Sequence, residues 1–127
     1  STETAAEFDR LTVCYLAEPS AGVLELSAAG QTRQVFADAP FPEPRCERLD
    51  LAAAASFGSL AVRDARIRIF SWATTTRTGG GVTVSNLGVI GETVRSLLSR
   101  DGRVLRAEMD AHRPDLIVLA FGTNEGF

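Results

Sequence analysis

Over residues 8 to about 85, apolar positions recur at every second residue in short runs. In FDRLTVCYL, Leu11, Val13 and Tyr15 fall on one face and Thr12 and Cys14 on the other, which is the period of a strand. GVLELSAAG pairs Leu24 with Leu26 and ends at Gly30, and RQVFA follows after a turn. ERLDLAAA alternates through Leu49 and Leu51, and SLAV is a further short run. RIRIFSWATT sets Ile67 and Ile69 on one face and Arg66, Arg68, Phe70 and Trp72 on the other. GVTVSN pairs Val82 with Val84. Turn formers separate the runs: Pro19-Ser20, Ala29-Gly30, the stretch from Pro40 to Pro44, and Gly79-Gly80-Gly81. Short alternating runs with no long helical period predict an antiparallel sandwich or jelly roll.

After Gly88 the period changes. Val94, Leu97, Leu98, Val104, Leu105 and Met109 recur at helical spacings. Asp101-Gly102 divides this stretch into two helices, with Asp101 as a candidate N-cap of the second. Arg113-Pro114-Asp115 stops the helix. The run LIVLAF, residues 116–121, then has no polar alternation, as expected of a strand covered on both faces in a parallel sheet. The expected fold is therefore a β-rich sandwich or jelly roll over residues 1–81, followed by an incomplete parallel β-α-β segment over residues 82–127. A lone β-α-β unit cannot bury both faces of two parallel strands. Further strands are expected to cover it, from the same polypeptide, from a second copy in a homo-oligomer, or from a second chain.

Composition narrows the class. The 127 residues are 45% apolar and 23% charged, ordinary for a soluble globular domain. No apolar run approaches the ~20 residues that span a bilayer, and no signal peptide opens the chain. A net charge of −3 argues against a nucleic-acid partner. All 13 basic residues are Arg, which fits a coding bias better than a phosphate-binding surface. Cys14 and Cys46 suit either one disulfide or two buried thiols. With one His and no Cys-x-x-Cys spacing, the chain offers no zinc site, and no metal or cofactor is expected.

The chemistry gathers in two loops. Ser85-Asn86-Leu87-Gly88-Val89-Ile90-Gly91-Glu92-Thr93 follows the first expected strand of the β-α-β segment, and Gly122-Thr123-Asn124-Glu125 follows the second. In open parallel sheets, ligands bind beyond the carboxyl ends of the strands. Gly91 can present its backbone N–H there, and Asn124 a side-chain N–H. Two convergent donors are the parts of an oxyanion hole.

NLGVIGETV, followed after a helix by PDLIVLAFGTNE, resembles the second and third sequence blocks of the SGNH (GDSL-type) hydrolases. The resemblance covers residues 82 to 127 and implies that Gly91 and Asn124 are oxyanion donors. Glu125 stands where many members have Asp. The family's Gly-Asp-Ser nucleophile block and its Asp-x-x-His pair do not occur here. Phe57-Gly58-Ser59-Leu60 lacks the Asp and leads into no helix, so it is not read as a nucleophile. His112 precedes the 116–121 strand while Asn124 follows it. Such a strand would hold them roughly 20 Å apart, too far for a general base.

Some SGNH esterases that deacetylate bacterial cell-wall polysaccharide carry a carbohydrate-binding-like sandwich before the second block, and the arrangement here is similar. The resemblance thus implies a periplasmic or secreted O-acetylesterase acting on a polysaccharide. Its serine, Asp and His would lie outside this chain, which would be inactive by itself. Two other readings stay open: a non-catalytic glycan-binding module, and a structural spacer. Trp72, the single tryptophan, is the candidate for stacking on a sugar ring, against the alternative of a half-buried core aromatic. Arg66 and Arg68, read as sharing its face, suit a polyanionic glycan or an ordinary solvated sheet face.

Overall fold

The strand period is realised in six strands. They are β1 (Phe8–Ala17), β2 (Val23–Ala28), β3 (Gln31–Phe36), β4 (Glu43–Ala55), β5 (Gly58–Arg63) and β6 (Arg68–Thr75). Two helices follow, α1 (Val94–Leu98) and α2 (Gly102–His112). The computed structural model describes residues 6–78, 81–87 and 89–124. The chain divides into two compact units, residues 1–79 and 80–127.

The first unit is two antiparallel three-stranded sheets, ordered β4-β1-β6 and β3-β2-β5. Period 2 puts Leu11, Val13, Tyr15 and Ala17 of β1 on one face, and Leu24, Leu26 and Ala28 of β2 on another. These residues join Val35, Leu49, Leu51 and Ala55 in one buried cluster drawn from both sheets, so the sheets pack face to face. The cluster supplies most of the stabilising apolar burial. Tyr15 is buried within it, and that desolvation raises its phenol pKa. The outward face of the second sheet is polar, with Ser27 and Thr32 hydroxyls 3.0 Å apart and Glu25 accepting from Arg63 at 3.0 Å.

Both faces of β1 are buried. On its outward side, Thr12 and Cys14 lie under cross-strand neighbours, and Cys14 is disulfide-bonded to Cys46 directly opposite on β4, with Cα atoms 4.1 Å apart. The alternatives left by the sequence therefore resolve to the disulfide. Arg10 grips Asp50 of β4 through Nε at 2.6 Å and Nη2 at 3.1 Å, and this pairing lowers the carboxyl's pKa.

One seam of the sandwich is laced by polar side chains. Gln31 and Arg33 take the inward positions of β3 opposite Ala28 and Leu26, and both reach the other sheet. Ala52 N donates to Gln31 Oε1 at 2.7 Å, and Arg33 Nη1 donates to Arg48 O at 2.8 Å. A side-chain amide thus does for β4 what a neighbouring strand would do. Pro44 is tolerated within β4 because that strand pairs on one side only.

β6 departs from the pattern read in its sequence. Its register against β1 shifts between Cys14, opposite Ser71, and Tyr15, opposite Ile69. Phe70 is the extra residue of a bulge, and a bulge moves the following side chains to the other face. Trp72, opposite Val13, therefore shares the inward face with Ile69. Arg68, opposite Leu16, looks outward and lies 3.6 Å from Glu18. The expected Trp72–Arg68 face is corrected accordingly.

In the second unit the two helices form as expected. Asp101 caps α2, accepting from Arg103 N at 2.8 Å, and Arg103 holds its carboxyl down to about 2. At the other end Arg113 adopts the left-handed conformation with φ +46°, donates to Met109 O at 2.8 Å, and precedes Pro114. Residues 82–86 and 116–121, expected as parallel strands, form no ladder among the described residues. Val82, Val84 and Leu116 to Leu119 are exposed. Strands apolar on both faces need partners on both edges and both faces, and α1 and α2 bury none of their own residues. No helix among the described residues is long and apolar enough to cross a membrane.

Candidate functional site

The two Gly- and Asn-bearing loops meet within the second unit. Glu92 N–H donates to Val89 O at 3.2 Å, closing a four-residue turn. Gly91, third in that turn, has φ +82°, the angle that a type II turn requires there and that Gly meets without strain. Thr93 follows in extended backbone and opens α1, with its Oγ1 3.5 Å from Ser96 Oγ. Thirty-two residues after Glu92, Asn124 Nδ2 donates to Glu92 O at 3.1 Å. Asn124 therefore lies against the carbonyl of the residue that follows Gly91.

The turn and the residue held against it carry two candidate donors. Gly91 N–H meets no acceptor among the described residues. A carboxamide nitrogen carries two protons, and Glu92 O engages one of those on Asn124. Both residues are exposed, so a ligand oxygen has access. Glu125 and Gly88, the other positions quoted in these loops, lie outside the described residues, as do Gly79 and Gly80. The Glu92 contact was not legible in the sequence, because a main-chain carbonyl leaves no trace in residue type. The one signal was Gly91, a glycine placed to turn the chain. Glu92 Oε2 is also buried and accepts no hydrogen bond from any described residue.

The remaining candidates are His112, Ser59 and Trp72. His112 is the last residue of α2 and is exposed. Ser59 lies in β5 opposite Ser27, with no turn or helix after it to present a nucleophile. Trp72 belongs to the first unit. It is 38% exposed, on the inward face of β6 at the seam away from Gln31 and Arg33. Val62 of β5 and Ile69 of β6 are also exposed inward-facing residues. Among the described residues no three His, Cys, Asp or Glu side chains are grouped to hold a metal ion. No protein-family model, curated protein or solved structure matches this chain.

Proposed function

We propose that this chain is part of an SGNH-type serine esterase that removes O-acetyl groups from a polysaccharide. The carrying observation is the 3.1 Å contact from Asn124 Nδ2 to Glu92 O, which puts the third-block asparagine against the second-block turn. In this reading a serine from sequence beyond the chain attacks the acetyl carbonyl. Its proton passes to a histidine, itself oriented by an aspartate, and then to the departing sugar hydroxyl. The Gly91 N–H and the second Asn124 N–H receive the developing oxyanion, and water then hydrolyses the acyl-enzyme. Donors aimed at the oxyanion stabilise the transition state more than the ground state, which is why they accelerate acyl transfer.

In the complete enzyme, residues 82–86 and 116–121 take their places as parallel strands when neighbouring strands supply both edges. The Cys14–Cys46 disulfide supports a periplasmic or secreted setting. The test is hydrolysis of an aryl acetate by the chain joined to its serine and Asp–His blocks. Asn124→Ala should lower kcat by roughly 10²–10³-fold, and a loss within about threefold would refute the assignment.

One observation favours a second role for the first unit. Trp72, half open to water at the sandwich seam, offers a ring face for stacking on a pyranose. Titration of residues 1–79 with cell-wall oligosaccharides, read by Trp72 emission, separates a glycan-binding module from a spacer. No spectral response to any of them would leave the spacer reading.

A further inference from the structure

The two candidate donors are mechanically linked. The turn with φ +82° at Gly91 is closed by Glu92 N–H on Val89 O at 3.2 Å, which fixes where Glu92 sits, and the Glu92 carbonyl receives Asn124 Nδ2 at 3.1 Å. With one carboxamide proton held there, the side-chain torsions of Asn124 are fixed and its second proton has a defined direction. Without the contact, Asn124 is an exposed loop residue two positions after Gly122, whose φ is +125°, and its carboxamide would sample several rotamers. We propose that the Glu92 main-chain carbonyl is the positioning group for Asn124, so that the Gly91 turn presents its own N–H and orients the second donor. The geometry stands independently, while its purpose rests on the esterase reading.

Gly91 allows a clean perturbation. A Cβ added there meets nothing within 4 Å, so a substitution acts through φ alone. A β-branched residue avoids this φ, whereas Asn tolerates it. Gly91→Val should therefore redirect the Glu92 carbonyl and Gly91→Asn should keep it. Glu92→Gln alters the side chain and leaves the carbonyl in place.

The direct measurement is NMR on the labelled chain. It reads the through-hydrogen-bond coupling from Asn124 Nδ2 to the Glu92 carbonyl carbon, together with the Nδ2 order parameter. The unsubstituted chain, Gly91→Asn and Glu92→Gln should show the coupling and an order parameter near ~0.8. Gly91→Val should lose the coupling and fall below ~0.6, with α2 amide signals confirming that the unit stays folded. A mobile Asn124 in the unsubstituted chain overturns the proposal, and that result needs no variant to fold. So does an ordered Asn124 in folded Gly91→Val. In the complete esterase, Asn124→Ala added to Gly91→Val should lower kcat by no more than about threefold further, and multiplicative losses would count against positioning. An Asn124→Ala enzyme with unchanged kcat would instead overturn the oxyanion role of Asn124 on which the purpose rests, and the NMR result would still decide the positioning.

Discussion

Cutting the Cys14–Cys46 cross-link should cost the first unit a large share of its stability. The disulfide joins positions 32 residues apart and directly opposite each other in the β1–β4 ladder. Its main effect is to restrict the unfolded chain. For a loop of that length the closure relation gives roughly 3–4 kcal/mol at 25 °C. A unit spanning residues 1–79 is expected to have about 4–12 kcal/mol of total stability. The reduced form should therefore remain marginally folded or unfold. Reduction isolates the cross-link, because the thiols keep nearly the volume of the disulfide. The Cys14→Ala/Cys46→Ala double variant should be at least as unstable, since Cys14 is fully buried and its truncation leaves a cavity. Urea titration followed by Trp72 emission reports on this unit alone, because the chain has a single tryptophan. With a slope of ~1–1.5 kcal/mol/M, the midpoint should fall by roughly 2–4 M on reduction. A loss below about 1 kcal/mol would refute the reasoning. It would mean that the unfolded chain already holds β1 and β4 together without the bond.

Three further outcomes follow from particular residues. Ala29 and Gly30 form the two-residue β2–β3 turn with φ +49° and +74°, and Asn-Gly suits that turn better than Ala-Gly, so Ala29→Asn should stabilise by about 0.5–1 kcal/mol in the same titration. Leu26→Ala, in the centre of the buried cluster, should destabilise by about 2–5 kcal/mol, and a smaller loss would show that the core collapses around it. Asp101 has a folded pKa of about 2, below its unfolded value of ~3.9, so its contribution to α2 is complete above pH ~4 and is lost as pH falls towards 2. Circular dichroism should show that part of the helical signal fading across this window, and Asp101→Asn, which retains a capping side chain, should remove this component of the pH dependence.

The strands of the first unit were legible because one face of each had to be apolar. Leu11, Val13 and Tyr15, or Leu24 and Leu26, announce a strand wherever they are placed. The Phe70 bulge left only a faint trace. Ile69 and Phe70 adjoin and break the alternation of RIRIFSWATT, but only the pairing with β1 reveals that one residue is inserted there. Gln31 and Arg33 also read as surface residues, yet they reach across to backbone atoms of β4. Sequence alternation assigns faces but not what lies opposite them. In the second unit the caps of α2 were legible because capping is local. The sheet expected around 116–121 was not realised, since strand pairing depends on partners that local sequence does not contain. Of the site, Gly91 and Asn124 could be named from residue type and spacing, whereas the carbonyl that holds Asn124 could not.

The laced seam has a consequence for how the sandwich opens. Gln31 and Arg33 bind β3 to β4, which puts β5 and β6 at the opposite margin, where Leu60, Val62 and Ile69 face inward and are partly wet. Detaching that margin exposes little additional apolar surface, so native-state fluctuations should begin there. The sandwich then behaves like a book bound along β3 and β4. Amide hydrogen exchange should run fastest in β6 and β5 and slowest in β1 and β2. Each partial opening also widens access to Trp72, so the spine of the book determines which aromatic face the molecule offers to a visitor.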